Sequence, residues 1–239
     1  MIRKFLSRKS VIVFSSVLLI AVLFSACKKD TNDMSQSPVS ALMAFNLAPD
    51  QPQVSIALSG NLIGGAPLAY GSFTGAYLNI YSGNRRVDAY GSGSQLLDSL
   101  TYPFEQNKYY SVFVTGADGN YKNIVALDNY DSLKASSGMA YVRYVNAIPG
   151  SASSNVTISS SGSNVVNTSA GFGQVSSFTE VTPGELSISV SNENAVNASR
   201  TITVAGQKAY TVLLMGQPNQ ADSTRAVQIR FIENGSLTD

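Results

Sequence analysis

The chain has 239 residues, of which 44% are hydrophobic and 13% are charged, and its formal net charge is +1. This near-neutral balance offers no electrostatic footprint for nucleic acid, so we expect no nucleic-acid partner. Because the sequence has no histidine and only one cysteine, Ser-His-Asp triads, histidine-bearing zinc sites and a disulfide within the chain are excluded, and we expect no enzyme, no metal and no cofactor.

The first residues have the order of a bacterial signal peptide. Four basic residues and no acid precede an apolar run from Val11 to Phe24 that two serines interrupt, followed by the small residues Ser25 and Ala26. The run is shorter than the ~20 residues that a helix needs to cross a membrane. A cleaved leader over residues 1–26 is therefore favoured over a permanent transmembrane anchor.

The segment Leu23 to Cys27 resembles the lipobox of bacterial lipoproteins, in which the cysteine is lipidated and becomes the mature N-terminus. This resemblance implies that Cys27 is the lipid attachment site. Several acyl chains, at ~0.8 kcal/mol for each buried CH₂, would hold the protein permanently. We therefore expect a lipid anchor in the outer membrane, with the protein on its periplasmic face or on the cell surface.

Residues 27–38 are predicted to form a flexible tether. Within them, Lys28 to Asp30 with Asp33 resembles the charged surface-export signals of Bacteroidetes lipoproteins. A solvated tether without any signal explains the same residues, and both interpretations stay open.

The rest of the chain contains two copies of one unit. Asn46 and Pro49 correspond to Asn146 and Pro149, and the intervals between matching residues stay nearly constant along the unit. Further matches pair Tyr70-Gly71 with Phe172-Gly173, and Lys108, Tyr110, Val112 and Gly116 with Lys208, Tyr210, Val212 and Gly216. Such a self-match predicts two domains of the same fold, over residues 39–134 and 138–239.

Each copy is predicted to consist of seven or eight short strands. Leu186, Ile188 and Val190 alternate with serines, which is typical of a strand with one buried face. The same alternation recurs in Tyr110, Val112 and Val114 of the first copy and in Tyr210, Val212 and Leu214 of the second. Turn residues separate the strands, and no helical pattern is sustained. The fold class is therefore all-β, with two tandem β-sandwiches of the immunoglobulin-like or Greek-key type.

Several residues of the second copy resemble the domain-of-unknown-function 4397 (DUF4397) family. They are Ala140, Arg143, Asn146, Ala147, Pro149, Pro183-Gly184 and the run from Lys208 to Val212. The first copy departs from this pattern, since Met43 stands in place of Arg143 and Ser82 in place of Pro183. The resemblance covers nearly all of the chain after the leader, and it implies exported tandem β-sandwiches without catalytic residues.

Four acidic and amide side chains are the first candidates for function. Asn46 and Asn146 each stand three residues before a proline, where an amide is expected to satisfy backbone groups at a strand end. Asp128 and Asp131 are the closest acidic pair and could serve glycoside hydrolysis or calcium binding. We favour solvated turn acids for this pair, and a hairpin turn for the segment 117–120.

Tyrosines and serines supply the remaining candidates. Tyr70, Tyr77, Tyr81 and Tyr90 could stack on sugar rings, although core or edge packing is the favoured explanation. Three tripeptides resemble the O-glycosylation sequon of Bacteroidetes exported proteins: Asp98-Ser99-Leu100, Asp131-Ser132-Leu133 and Asp222-Ser223-Thr224.

These features predict a non-enzymatic, lipid-anchored cell-envelope protein whose two sandwiches bind a ligand or act as a spacer. The partner would be a cell-envelope protein or a glycan. The alternative is a glycan-binding accessory lipoprotein of a polysaccharide-uptake system, and the third hypothesis is a carboxylate-dependent hydrolase.

Overall fold

The computed structural model describes residues 37–150, 153–193 and 195–237. The leader over 1–26, the lipid attachment site Cys27 and all but the last two residues of the tether lie outside the described residues. Contacts within the chain group Pro38–Asp239 into one compact unit. In the described ranges, no helix is long and apolar enough to span a membrane.

The first repeat folds as two facing sheets. Its strands are β1 Val39–Asn46, β2 Gln53–Leu58, β3 Asn61–Leu62, β4 Leu68–Ala69, β5 Leu78–Tyr81, β6 Gly83–Tyr90, β7 Leu96–Phe104, β8 Tyr109–Ala117 and β9 Asn120–Leu127. One sheet has the strand order β5-β1-β8-β9, with β1 and β8 parallel, and the other has the order β3-β2-β6-β7, with β4 beside β2.

The second repeat has the same plan. Its strands are β10 Ala140–Asn146, β11 Ser154–Ser160, β12 Ser163–Ala170, β13 Thr179–Val181, β14 Gly184–Ser191, β15 Asn197–Val204, β16 Lys208–Met215 and β17 Gln228–Ser236. Its sheets have the orders β13-β10-β16-β17 and β12-β11-β14-β15, and β10 is parallel to β16. The prediction of two tandem β-sandwiches is confirmed.

Short 3-10 turns complete the described secondary structure. One spans Ser92–Ser94, and two others, Tyr130–Ser132 and Ala135–Ser137, lie between β9 and β10. The domain limits 39–134 and 138–239 stay a prediction, because the contacts join both repeats in one unit.

Strand β14, in the sheet β12-β11-β14-β15, follows the alternation seen in the sequence. Leu186, Ile188 and Val190 are at most 1% exposed, while Ser187 and Ser191 between and after them are exposed. Their apolar side chains belong to the core between the two sheets of the second repeat. One face of β14 is therefore buried, as predicted.

Strands β8 and β16, in the two sheets that contain β1 and β10, do not follow that pattern. On β8 the predicted core residues Val112 and Val114 are buried, but Ser111, Phe113 and Thr115 on the opposite face are also 0% exposed. Strand β16 is likewise buried from Ala209 to Met215. The prediction of one buried face was wrong for these strands, because their second face packs against the other repeat.

The turn at 117–120 is the hairpin that the sequence predicts. Asp118 and Gly119 have φ values of 55° and 83°, and they connect Ala117 of β8 to its pairing partner Asn120 of β9. Two consecutive positive φ angles are the geometry of a type I′ hairpin turn, for which Asp-Gly is a preferred sequence.

Asn46 and Asn146 hold the turn that follows the first strand of each repeat. Both are 0% exposed. The Asn146 Nδ2 donates to the Ala170 carbonyl at 3.0 Å, and its Oδ1 accepts from the Ile148 N–H at 3.2 Å. Asn46 repeats this arrangement with the Leu68 carbonyl and the Ala48 N–H. The structural role predicted for these amides is confirmed.

We expect Asn146→Ala to lower the melting temperature by roughly 3–10 °C. The substitution removes the two hydrogen bonds that Asn146 makes to the Ala170 carbonyl and the Ile148 N–H, each worth a net of about 0.5–1.5 kcal/mol, and a protein of this size loses about 2–4 °C per kcal/mol. Differential scanning calorimetry measures the shift, with the exposed Asn61→Ala as the matched control. An Asn146→Ala protein that melts with the wild type would contradict the role.

Candidate functional site

The two repeats meet face to face through the sheet that contains β1 and the sheet that contains β10. We call these two the middle sheets. A cluster of buried side chains from both repeats fills this junction: Met43, Phe45, Leu47, Phe113, Val145, Ala147, Leu213 and Met215. The Phe45 and Phe113 rings stack with their centroids 4.7 Å apart. Burial of each such ring stabilises the contact by about 1.5–3 kcal/mol.

Two glycines allow the repeats to approach closely. A Cβ placed on Gly71 would lie 2.5 Å from the Arg230 Nη1 of the second repeat, and one on Gly173 would lie 3.2 Å from the Ile124 Cδ1 of the first. The two positions are the ones that the sequence self-match pairs. In each repeat, a glycine therefore lies against the last strand of the other repeat.

A buried ion pair crosses the same junction. The Arg143 Nη1 lies 2.5 Å from the Asp128 Oδ1, and the two side chains are 2% and 0% exposed. Arg143 also donates to the hydroxyls of Thr211 and Ser111, both at 2.9 Å. Its guanidinium carbon lies 4.7 Å from the centre of the Phe178 ring. The guanidinium is thus bonded to both repeats.

Asp128 is the centre of this polar network. Besides Arg143, its carboxylate accepts hydrogen bonds from the Ser111 hydroxyl at 2.6 Å and from the Tyr77 hydroxyl at 2.5 Å. The residue is 1% exposed. The expectation that Asp128 is a solvated turn acid was therefore wrong, because the second repeat covers the end of β9 with an arginine.

The ion pair breaks an otherwise symmetric arrangement. Ser111 donates to Asp128 in the first repeat, and Thr211 donates to Asn234 at the equivalent place in the second. The strand registers also place Met43 beside Ser111, as Arg143 lies beside Thr211. Only one of the two equivalent places therefore carries a charge pair, and Met43, which departs from the family pattern, is the uncharged counterpart of Arg143.

An open cleft of about 400 Å³ lies beside the ion pair. Its walls include the side chains of Tyr77, Tyr109 and Tyr130. The Tyr109 ring contacts the other two edge to face, and its centroid lies 5.1 Å from that of Tyr77 and 5.2 Å from that of Tyr130. The other lining residues are Asp131, Leu133, Asn234, Gly235, Ser236 and Leu237. Both repeats therefore contribute to the cleft.

The cleft is polar but carries little net charge. Burial raises the pKa of Tyr130 to about 12, and burial together with the nearby Asp128 carboxylate raises the pKa of Tyr77 further. Both phenols therefore stay neutral at physiological pH. The Asp131 carboxylate on the rim forms an ion pair with the Lys108 ammonium. Aromatic surfaces, hydroxyls and an amide without free charge suit an uncharged polar ligand.

The four tyrosines chosen from the sequence do not form one face. Tyr77 lines the junction cleft, while Tyr70 packs beside the apolar cluster between the repeats. Tyr81 is 62% exposed at a different cleft, and Tyr90 ends β6. No sequence signal identifies Tyr109 and Tyr130 as cleft residues, because no local spacing connects a strand start with a 3-10 turn.

The three O-glycosylation candidates lie on the surface. Ser99, Ser132 and Ser223 are all exposed, although the Ser99 hydroxyl donates to the Asp88 carboxylate at 2.6 Å. Glycosylation of these serines stays a prediction.

We expect Asp128→Asn and Arg143→Met each to lower the free energy of unfolding by about 3–5 kcal/mol, because each leaves a buried charge without its partner. The double variant should lose much less than the sum, since it removes both charges. Urea denaturation of the four proteins measures the coupling, and the exposed Asp131→Asn is the matched control. Additive losses would contradict a coupled buried pair.

The solved structures that the chain resembles include distant ones with low sequence identity. The CBM26 module CBMbc of Eubacterium rectale Amy13K, in complex with maltoheptaose, is 9% identical, with 82% of this chain and 97% of that chain covered and a TM-score of 0.25. A candidate cell adhesion protein of Bacteroides eggerthii DSM 20697 is 10% identical, with 84% and 96% covered and a TM-score of 0.25. Likenesses at this level carry no information about function.

No curated protein matches the chain. The family comparison, by contrast, matches residues 40–152 and 140–234 separately to the family described as "Domain of unknown function (DUF4397)". The two matches cover both sandwiches, in agreement with the repeat seen in the sequence. The chain belongs to the DUF4397 family, with two copies of its domain in tandem.

Proposed function

We propose that this protein is a non-enzymatic, lipid-anchored protein of the cell envelope whose two sandwiches act as one rigid binding unit. The ligand binds in the tyrosine cleft at the junction of the repeats. The main support for this proposal is the buried contact between the two repeats. The buried pair of Arg143 and Asp128, within an apolar contact, fixes both walls of the cleft before any ligand arrives.

Such preorganisation favours binding. A ligand that enters a preformed cleft does not need to order its walls, so less of the interaction energy is lost on binding. The edge-to-face contacts of Tyr109 with Tyr77 and Tyr130 restrict the rings further. A volume of about 400 Å³ is within the range of small-molecule sites.

The contacts of the acidic pair support a binding role over hydrolysis. Asp128 is buried, its carboxylate is bonded to Arg143, Ser111 and Tyr77, and it is not one of the residues that line the cleft. Asp131 is held by Lys108. A glycosidase needs one carboxyl as acid and another as base or nucleophile beside the same bond, and this pair is not free to serve.

A glycan is the second candidate, as part of a polysaccharide-uptake system. The observation that favours it is the set of three tyrosines around an uncharged polar cleft, because aromatic faces stack on sugar rings while hydroxyl and amide groups bond to sugar hydroxyls. The Tyr109 and Ser236 hydroxyls line the cleft and are exposed, so they are available for such bonds, whereas Tyr77 and Asn234 are bonded to Asp128 and Thr211.

We expect Tyr109→Ala to weaken glycan binding about tenfold, since Tyr109 is the most exposed ring of the cleft and its loss removes a stacking surface. The detergent-solubilised lipoprotein is tested on a polysaccharide array. Tyr81→Ala, which removes an exposed tyrosine outside the cleft, is the matched control and should bind as the wild type. A wild type that binds no glycan would remove this second candidate.

The anchor is tested separately by intact mass spectrometry of the native protein. We expect the mature chain to begin at Cys27 and to carry acyl chains, and surface proteolysis of intact cells then tells the periplasmic face from the cell surface. A retained leader, or an unmodified Cys27 thiol in the soluble fraction, would contradict the proposal.

A further inference from the structure

Large apolar side chains are exposed mainly at one end of the first repeat. Among the described residues, six are exposed, with fractions from 39% to 68%: Val39, Leu62, Tyr81, Leu96, Tyr109 and Leu127. Five of these lie at the end where β1 begins; Leu96 of β7 is the exception. Exposed apolar side chains that cluster at one end are typical of a surface that contacts a partner or a membrane.

The strand registers bring these residues together. Val39 is the first residue of β1 and is paired with Tyr81, the last residue of β5. The hairpin that joins β2 to β3 places Leu62 at the same end, and a cleft of about 510 Å³ is lined by Val39, Leu62, Tyr81 and Arg85. We call these four residues the apolar end patch.

Arg85 gives the patch a positive charge. Its guanidinium donates to the carbonyls of Tyr81 and Ser82, both at 3.2 Å, and lies 5.9 Å from the centre of the Tyr81 ring. None of the ion pairs found among the described residues includes Arg85. Its charge is therefore available to an anion outside the protein.

The chain reaches this patch directly from its proposed anchor. Only residues 28–38 separate Cys27 from Val39, and a fully extended chain of that length spans at most about 40 Å. Lipid on Cys27 would therefore keep the start of β1 within that distance of the bilayer. A short tether of this kind makes even a weak surface contact effective, because it raises the local concentration of the membrane.

We propose that the apolar end patch docks on the surface of a phospholipid bilayer that contains anionic lipid. Val39 and Leu62 enter the interfacial layer, Tyr81 lies at the level of the headgroups, and Arg85 binds lipid phosphate. This proposal rests on the lipid anchor of the proposed function. Together, anchor and patch hold the first repeat with the start of β1 against the membrane.

The test uses the full lipoprotein reconstituted in vesicles of equal parts phosphatidylethanolamine and phosphatidylglycerol. Because Cys27 is the only cysteine and its thiol would be blocked by lipid, a cysteine introduced by Leu62→Cys can carry a single environment-sensitive fluorophore. We expect a blue-shifted emission that spin-labelled lipids quench. Leu96→Cys, on an exposed leucine away from the patch, is the matched control and should show neither effect.

A second labelled variant, Tyr81→Cys, repeats the test at a position whose side chain is 62% exposed. Arg85→Glu, combined with the label at position 62, should reduce the quenching in anionic vesicles but not in vesicles of phosphatidylcholine alone. Equal signals from positions 62, 81 and 96 on lipidated protein would overturn the docking proposal. Mass spectrometry of the same samples shows separately whether Cys27 is lipidated, so a failed anchor is distinguished from a failed patch.

Discussion

The rest of the structure depends on the burial of both faces of the two middle sheets. In a single sandwich the outer face of each sheet meets water, but here Phe45 and Phe113 of one repeat face Leu213 and Met215 of the other. Either repeat alone would expose this whole apolar face, which soluble domains avoid. Two copies of the same domain therefore form one compact unit, and the second copy completes the first as a folded structure.

Apolar burial gives this junction most of its strength, whereas polar bonds give it direction. The hydrophobic effect is not directional, so it defines the relative position of the facing sheets less sharply than hydrogen bonds do. Arg143 adds a directional constraint, because it is bonded to Thr211 of its own repeat and to Asp128 and Ser111 of the other. With Met43 at the equivalent place, one charge pair is enough to select one arrangement, and it also fixes the tyrosines around Asp128.

The sequence predicts the fold well and the site poorly, for a physical reason. Strand alternation, Asp-Gly and Pro-Gly turns and the self-match are local or repeated signals, so they reveal two sandwiches and the structural asparagines. The contact between repeats has no such signal. The apolar run over residues 212–215 of β16 fits burial on both faces, yet it does not identify the partner. Tyr109, Tyr130 and Asn234 come together only after both repeats fold and dock.

The position of β1 places the tyrosine cleft and the apolar end patch near each other. Tyr109 is the first residue of β8, and β8 runs parallel to β1 with Tyr109 paired to Ala41, two residues from Val39. The tyrosine cleft and the apolar end patch are therefore at the same end of the first repeat. If that end lies on the bilayer, the cleft opens beside the membrane surface. A long polysaccharide bound along several of its units would collide with the lipid there. A short glycan or a terminal sugar unit would fit a cleft of about 400 Å³ in that position.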